Sequence, residues 1–137
     1  MLAEHMRESG ATITHDALPV VVADSNHMAQ LLQNLIGNAI KYRRRGTPPR
    51  VHISSRREGN TFLFSVEDNG QGFDPQYAES IFTPFKRLHG REIPGAGIGL
   101  ATCKRIVEIY NGRIWATSSG PNTGATIWFT LPDEVVQ

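Results

Sequence analysis

The chain has 137 residues, of which 39% are apolar and 20% charged, and this composition is typical of a single globular domain. Its formal net charge of +1 gives no global attraction to nucleic acid, and no apolar run approaches the roughly 20 residues of a membrane-spanning helix. Cys103 is the only cysteine, which excludes an intramolecular disulfide and argues against a cysteine-based metal site. We therefore predict a soluble protein of a reducing compartment.

The first half of the chain predicts two strands and a long helix. Segments 11–15 and 20–24 are short and β-branched, which is typical of a strand pair at a turn. Apolar residues then recur with helical spacing after an N-cap at Asp24 or Ser25. This helix is expected to end near Arg45–Gly46, because glycine and the prolines that follow cannot continue it.

Two segments with alternating apolar residues, 50–57 and 61–68, come next and predict a β-hairpin. Frequent glycine and proline then interrupt the pattern between Gly70 and Gly99, where only a short helix around residues 76–82 is expected. A region this long with little regular structure is usually functional or mobile.

The last third of the chain predicts a helix followed by two strands. The helix has one apolar side between Leu100 and Tyr110 and stops at Gly112, and the strands are expected at 113–118 and 124–131. This order of elements indicates an α/β sandwich. Helices would cover one face of a mostly antiparallel, mixed sheet, and the other face would be partly exposed.

Basic residues are concentrated between Lys41 and Arg57, where seven occur with no acid among them. Such a run is typical of a cationic helix C-terminus that continues into a solvated loop and strand. Nucleic-acid binding is the weaker alternative, because no aromatic stacking platform is interleaved with these charges.

Glycine clusters flank the irregular region on both sides. Residues 68–72 follow an apolar strand, and Gly95, Gly97 and Gly99 alternate directly before a helix. A glycine-rich turn that opens a helix makes an anion site, because free backbone N–H groups converge there and the helix dipole favours negative charge. A Rossmann motif does not fit, since Leu100 stands where its third glycine is required, and the Gly-Lys-Ser/Thr ending of a Walker A loop is absent.

Polar residues form a row on the first long helix. Asn34, Asn38 and Lys41 share one face beside the apolar stripe. Amide oxygens and an ammonium group in such a row can hold hydrated Mg²⁺ and phosphate together. Either asparagine alone is better explained as part of a solvated face, but two at this spacing lower the helix propensity and favour a functional reason.

These patterns together resemble the catalytic, ATP-binding domain of sensor histidine kinases, within the wider group that includes the gyrase and MutL ATPases. The matching motifs are the N box at 32–42, the G1 box at 68–72, the F box at 82–85, the G2 box at 95–100 and a final glycine motif at 124–126. Four boxes in the right order are far more specific than any one of them. The residues from 85 to 100 are similar to those of phytochrome-type and PAS-linked sensor kinases.

The resemblance implies the Bergerat, or GHKL, ATP-binding fold, which is an α+β sandwich. Its sheet is mixed, mostly antiparallel and five-stranded, with three helices on one face and a flexible ATP lid over residues 73–98 or so. Residues 11–137 would form this domain. Residues 1–10 would be an N-terminal stub at the end of a helical linker.

The resemblance also implies roles for the matching residues. Asp68 would accept a hydrogen bond from the exocyclic amine of adenine, Asn38 would ligate Mg²⁺, and Arg87 would meet the γ-phosphate of ATP from the lid. The implied catalytic residues are Asn34, Asn38, Lys41 and Arg87. The implied nucleotide-binding residues are Asn34, Asn38, Lys41, Tyr42, Asp68, Gly70, Gly72, Phe85, Gly95, Gly97, Gly99, Leu100 and Thr126.

One position of the N box separates a kinase from a hydrolase within this group. The related ATPases place a glutamate, which activates water, four residues before the metal-binding asparagine. Asn34 occupies that position here, and an amide cannot act as a general base at neutral pH. We therefore expect slow hydrolysis and transfer of the γ-phosphoryl group to an imidazole.

The phosphoacceptor of such a kinase lies in a separate helical hairpin, and none of the five histidines of this chain has the context of that motif. The expected partners are the phosphoacceptor hairpin of the parent kinase and the receiver domain of a response regulator, with no nucleic acid and no direct membrane contact. The fragment is expected to be monomeric and cytoplasmic, and its parent a homodimer. Two alternatives stay open: an ATPase of the same fold, or a non-catalytic module that binds nucleotide or a partner protein.

Overall fold

Five strands form one sheet, in the order β1-β2-β3-β5-β4, in the computed structural model, which describes residues 2–83 and 99–133. The strands are β1 (Thr12–His15), β2 (Arg50–Glu58), β3 (Thr61–Asp68), β4 (Ile114–Thr117) and β5 (Ala125–Pro132). The helices are α1 (Leu2–Ser9), α2 (Ser25–Lys41) and α3 (Gly99–Ile109), with 3₁₀ helices at Pro75–Tyr77 and Ser80–Phe82. β1 is parallel to β2 and the other neighbours are antiparallel, which confirms the predicted mixed sheet.

One face of the sheet carries the core, because alternate residues of each strand point to the same side. The rings of Phe64 on β3 and Phe129 on β5 stack there with centroids 4.9 Å apart. α2 and α3 pack on this face, and α1, inside the predicted N-terminal stub, contacts α2. The buried residues of α2 and α3 are Leu31, Leu35, Ala39, Ile40, Cys103, Ile106 and Val107. Within the described ranges, no helix has the length and apolar character needed to cross a membrane.

The opposite face of the sheet carries polar and aromatic side chains. Trp115 and Trp128 are neighbours across β4 and β5, with ring centroids 6.4 Å apart. The indole Nε1 of Trp128 donates a hydrogen bond to Oγ1 of Thr117 at 2.9 Å. Both indoles are partly exposed, which confirms the prediction of a second face that is not fully covered.

Residues 20–24 do not form a strand, so the predicted strand pair between residues 11 and 24 is wrong. β1 pairs instead, in parallel, with the first four residues of β2. Val20 and Val22 are 93% and 55% exposed, although their branched side chains suit a strand. The segment runs along the surface to Asp24, which caps α2 because its carboxylate accepts a hydrogen bond from the backbone N–H of Asn26 at 2.7 Å.

α2 ends at Lys41, one turn before the predicted end near Arg45–Gly46. The carbonyl of Tyr42 accepts a hydrogen bond from the backbone N–H of Gln71 at 2.8 Å, and the carbonyl of Arg43 accepts one from the side-chain amide of Gln71 at 3.1 Å. The backbone N–H and the guanidinium of Arg43 both donate to the carbonyl of Ile40, at 3.3 and 2.8 Å. The helical hydrogen-bond pattern therefore breaks at Arg43, and the helix stops before the glycine.

Part of the predicted lid is packed into the core. Phe73, Ile81 and Phe82 are buried, with 5–7% of their surface exposed. The short helix expected around residues 76–82 consists of the two 3₁₀ helices. The remainder of the predicted lid, from residue 84 to residue 98, lies outside the described residues.

Candidate functional site

Asp68 stands at the end of β3, on the face of the sheet that carries the core, where it pairs with Val51 and Ala125. Its Oδ1 accepts hydrogen bonds from the backbone N–H groups of Gly70 at 2.9 Å and Ala125 at 3.2 Å. Within residues 2–83 and 99–133, these bonds to the carboxylate both fall on Oδ1. The second oxygen, Oδ2, can therefore accept a hydrogen bond from an entering ligand.

Burial raises the pKa of Asp68 above its ordinary value of 3.8, and the neighbouring charge of Glu67 raises it further. The hydrogen bonds from Gly70 and Ala125 oppose this shift, because they stabilise the charged form. A third donor on the carboxylate would act in the same direction. The site is therefore arranged to gain free energy when a donor group of a ligand reaches Asp68.

The turn after Asp68 is attached to the end of α2. The backbone N–H of Gln71 donates to the carbonyl of Tyr42 at 2.8 Å, and Nε of Arg44 donates to the carbonyl of Asn69 at 2.9 Å. A Cβ atom at Gly70 would lie 2.7 Å from the carbonyl oxygen of Tyr42. The backbone of the turn therefore approaches the end of the helix more closely than a residue with a side chain would permit.

The other side of the turn is attached to the loop between β4 and β5. The backbone N–H of Gly124 donates to the carbonyl of Gly70 at 3.1 Å, and the backbone N–H of Phe73 donates to Oγ of Ser118 at 3.1 Å. The turn is thus held from both sides by hydrogen bonds to backbone and hydroxyl groups.

Gly72 has a positive φ of 64° and lies in the most crowded part of this turn. A Cβ atom at Gly72 would lie 2.6 Å from the carbonyl oxygen of Gly120, 2.7 Å from that of Gly124 and 2.8 Å from Oγ of Ser118. Both the backbone conformation and the available space therefore require glycine at this position.

The polar face of α2 leads to the same turn. Asn34, Asn38 and Lys41 are partly exposed, and the ammonium group of Lys41 lies 5.6 Å from the ring centroid of Tyr42. Because the Tyr42 carbonyl bonds to the turn, the structure brings the end of this face next to Gly70 and Gln71.

Asn34 has a neighbour on α3 that the sequence did not indicate. Its side chain lies close enough to Cys103 to lower the pKa of the thiol against the effect of burial, and the thiol donates to the carbonyl of Leu31 at 3.8 Å. Cys103 is fully buried, and burial raises the pKa of its thiol to about 12. The thiol is therefore protonated and unreactive, and it lies beside Asn34 where α2 and α3 are in contact. The only signal in the sequence was the place of Cys103 in the apolar side of its helix.

Thr126 is not brought together with the other predicted residues. It pairs with Glu67 and Thr117, one position along β5 from the neighbour of Asp68, so it lies on the opposite face of the sheet. Ala125 lies beside Asp68 instead. The alternation of buried and partly exposed residues along β5 was the signal in the sequence that could have identified Ala125 as the residue on the Asp68 face.

The second glycine cluster is described only at its end. Gly99 and Leu100 are the first two residues of α3, and a Cβ at Gly99 would meet no atom within 4 Å. The other predicted site residues of this region, Phe85, Arg87, Gly95 and Gly97, lie outside the described residues.

A divalent cation at this site would depend on amide oxygens and on its ligand. In the part of the chain that the structure describes, no three His, Cys, Asp or Glu side chains are grouped so that they could hold a metal ion. Mg²⁺ accepts few protein ligands and keeps several waters when phosphate oxygens complete its shell. The amide of Asn38 fits that kind of site and would not suffice without a phosphate ligand.

Crowding around Gly72 can be measured against Gly59, which has a similar φ of 60° but no atom within 4 Å of an added Cβ. We expect Gly59→Ala to cost about 1 kcal/mol of unfolding free energy, because only the backbone conformation is strained. Gly72→Ala should cost ~2 kcal/mol more, because the methyl group also displaces backbone. Urea denaturation of both variants measures the difference, and equal losses would contradict the crowding.

The raised pKa of Asp68 predicts a pH-dependent stability. The folded state binds this proton more tightly than the unfolded state, so the contribution of Asp68 is fully present below pH 3.8 and is lost as pH rises through the folded pKa. We expect the unfolding free energy of Asp68→Asn, relative to wild type, to increase as pH rises from 3.5 or so towards neutrality. Denaturant titrations across this range test it, and a difference that does not change with pH would contradict it.

Comparison with known proteins connects this geometry to a family. Residues 23–135 match the family of histidine kinase-, DNA gyrase B- and HSP90-like ATPases. The chain is 51% identical over 132 residues to cyanobacterial phytochrome A of Nostoc sp., and 43% identical over 132 residues to the phytochrome-like protein Cph1 of Synechocystis sp.. Each alignment covers 96% of this chain and 17% of the relative, so the chain spans about a sixth of the length of these proteins.

Solved structures with the same fold include a sensor histidine kinase. The mycobacterial sensor histidine kinase MprB has a TM-score of 0.83 at 25% identity, with 98% of this chain and 92% of that chain covered. Full-length ShkA in complex with AMPPNP has a TM-score of 0.79 at 29% identity, with 98% and 29% covered. The family match agrees with the five-stranded sheet and with the carboxylate that is hydrogen-bonded at the end of β3. The chain therefore belongs to the family of histidine kinase-, DNA gyrase B- and HSP90-like ATPases.

Proposed function

We propose that the chain is the catalytic domain of a sensor histidine kinase, which binds ATP with Mg²⁺ and transfers the γ-phosphoryl group to a histidine outside this domain. The observation that carries the proposal is the Asp68 carboxylate, whose Oδ1 is held by two backbone N–H groups at the edge of a glycine-lined turn. The names of the similar proteins, which include sensor kinases and phytochromes, support the same activity.

The base-binding end of the site is formed by Asp68 and the turn that follows it. Oδ2 of Asp68 accepts a hydrogen bond from the exocyclic amine of adenine, whereas the O6 atom of guanine at the same place would be repelled. Gly70 and Gly72 give this turn its close packing against the end of α2 and the β4–β5 loop. The turn carries no side chain at either position, and the base approaches its backbone. Ala125, and not Thr126, lies on the same face of the sheet as Asp68.

The phosphate end of the site is formed by the polar face of α2 and the first residues of α3. Lys41 and Asn34 on α2 would contact phosphate, and Asn38 would hold Mg²⁺. The backbone N–H groups of Gly99 and Leu100, the first residues of α3, would face the negative charge of the phosphates. When bound, Mg²⁺ neutralises charge on the phosphate oxygens. The structure of ShkA with AMPPNP supports a nucleoside triphosphate as ligand of this fold.

Asn34 directs the chemistry towards transfer. An amide cannot remove a proton from water, and the nearby thiol of Cys103 supplies no base either, because its raised pKa keeps it protonated. Water bound near the γ-phosphate is therefore not activated by α2, and an imidazole brought to the site is the better nucleophile.

The proposed partners follow from this reaction. A helical hairpin with a phosphoacceptor histidine supplies the nucleophile, and the receiver domain of a response regulator takes the phosphoryl group next. The structure of the histidine kinase ThkA with the response regulator TrrA, at a TM-score of 0.73 and 26% identity over 97% of this chain, supports the second partner. We place the domain in the cytoplasm, in a homodimeric parent.

A transfer assay tests the proposal. The chain is mixed with radiolabelled ATP, Mg²⁺ and the phosphoacceptor hairpin of a sensor histidine kinase, after calorimetry has measured ATP binding. We expect an acid-labile, base-stable phosphoprotein. ATP turnover without transfer would favour an ATPase, and binding with neither reaction would favour a non-catalytic module.

Asn38→Ala tests the cation site separately from folding. We expect at least a tenfold loss of Mg²⁺-dependent ATP affinity, about 1.4 kcal/mol, because the amide ligand is removed. Thermal stability should stay within about 1 kcal/mol of wild type, since the side chain is partly exposed. Gln33→Ala, at an exposed position of the same helix, is the matched control and should leave affinity unchanged. Equal losses in both variants would contradict the role of Asn38.

A further inference from the structure

The peptide group between Asn69 and Gly70 is held at both of its polar atoms. Its carbonyl oxygen accepts a hydrogen bond from Nε of Arg44 at 2.9 Å. Its N–H donates to Oδ1 of Asp68, also at 2.9 Å. A guanidinium group of the α2–β2 loop and the carboxylate at the end of β3 are therefore joined through one peptide group.

A peptide group transmits orientation because it is planar and rigid. In the trans form, the C=O and N–H bonds point in opposite directions, so a cation at the oxygen directs the N–H away from itself and towards Asp68. The positive charge also polarises the peptide, which strengthens the hydrogen bond that the N–H donates. Arg44 thus acts on the carboxylate without touching it.

The rest of Asn69 is fastened to the same loop. Its Oδ1 accepts a hydrogen bond from the backbone N–H of Arg50 at 2.8 Å, and its backbone N–H donates to the carbonyl of Arg50 at 3.3 Å. Its side-chain amide donates to the carbonyl of Pro48 at 3.3 Å. These bonds fix the position of Asn69. The hydrogen bond from Arg44 then fixes the orientation of the peptide group between Asn69 and Gly70.

We infer that Arg44 is a positioning residue for base recognition: its guanidinium orients the Asn69–Gly70 peptide, which holds Oδ1 of Asp68 and leaves Oδ2 to the amino group of adenine. The inference rests on the proposed nucleotide-binding function and adds a residue to it. The hydrogen bond from Gly70 is also one of the interactions that lower the pKa of Asp68 against the effect of burial.

The neighbouring arginines do not share this role. The guanidinium of Arg43 turns back and donates to the carbonyl of Ile40 at 2.8 Å. Arg45 is exposed, whereas Arg44 is partly buried against the turn. Arg45 therefore serves as a matched control, because its removal changes the net charge of the loop equally.

The test uses two nucleotides that differ in a single group. Arg44→Met, Arg44→Lys and Arg45→Met are titrated in a calorimeter with Mg·ATP and with purine riboside triphosphate, which lacks the exocyclic amine. We expect Arg44→Met to bind ATP about fivefold more weakly and the amine-free nucleotide almost unchanged, because only ATP uses the Asp68 contact. Arg44→Lys should recover part of the lost ATP affinity. Arg45→Met should change the affinities for the two nucleotides by the same factor.

A second measurement needs no nucleotide. The amide proton of Gly70, observed by NMR in the free protein, should move upfield in Arg44→Met, because its hydrogen bond to Asp68 weakens. It should keep its position in Arg45→Met.

The outcomes separate the two claims. Equal loss for both nucleotides in Arg44→Met, or an unmoved Gly70 amide, would overturn the positioning role while leaving ATP binding intact. A wild-type protein that binds neither nucleotide would overturn the proposed function and the base-recognition role together. Selective loss for ATP with a shifted Gly70 amide supports the inference.

Discussion

The backbone leaves no space for side chains where the turn after β3 passes between the end of α2 and the loop that precedes β5. A Cβ at Gly70 would lie 2.7 Å from the Tyr42 carbonyl oxygen, and one at Gly72 would lie 2.6 Å from that of Gly120. The helix end, the turn and the start of β5 are therefore placed as one unit. This unit positions Asp68, because the backbone N–H groups of Gly70 in the turn and of Ala125 at the start of β5 both donate to its carboxylate.

The site combines one buried carboxylate with a cationic helix end. Desolvation raises the pKa of Asp68, and the donors around it only partly compensate. Lys41 in the last turn of α2 and the N-terminus of α3 supply positive potential elsewhere on the same side of the sheet. A ligand with a donor at one end and negative charge at the other, such as an adenine nucleotide, complements this arrangement.

The sequence predicted the helices and strands that have a clear hydrophobic period. It did not predict the element bounds that tertiary contacts determine. The hairpin of β2 and β3 and the helix α3 followed from spacing alone. The end of α2 did not, because Arg43 bonds back to the Ile40 carbonyl and the chain then bonds to Gln71, and no local pattern marks these contacts. The strand expected at 20–24 had the right composition and no neighbour to pair with among the described strands. The boxes predicted Asp68 and the glycines that follow it as site residues, and their roles stay predictions. The strand register places Thr126 on the face of the sheet opposite to Asp68.

Because β1 is shorter than β2, part of one sheet edge is open, and this edge bears on the tendency of the protein to aggregate in concentrated solution. β1 covers only the first four residues of the nine-residue β2, so residues 54–58 present an edge to which no described strand is bonded. An open edge invites a strand from another molecule and hence growth of aggregates. Arg56 and Arg57, with 69% and 61% of their side chains exposed, stand on this edge and pair with Glu58 and Asp133. A strand added here would have to desolvate these charged side chains, so part of the basic run protects the edge from pairing with another molecule.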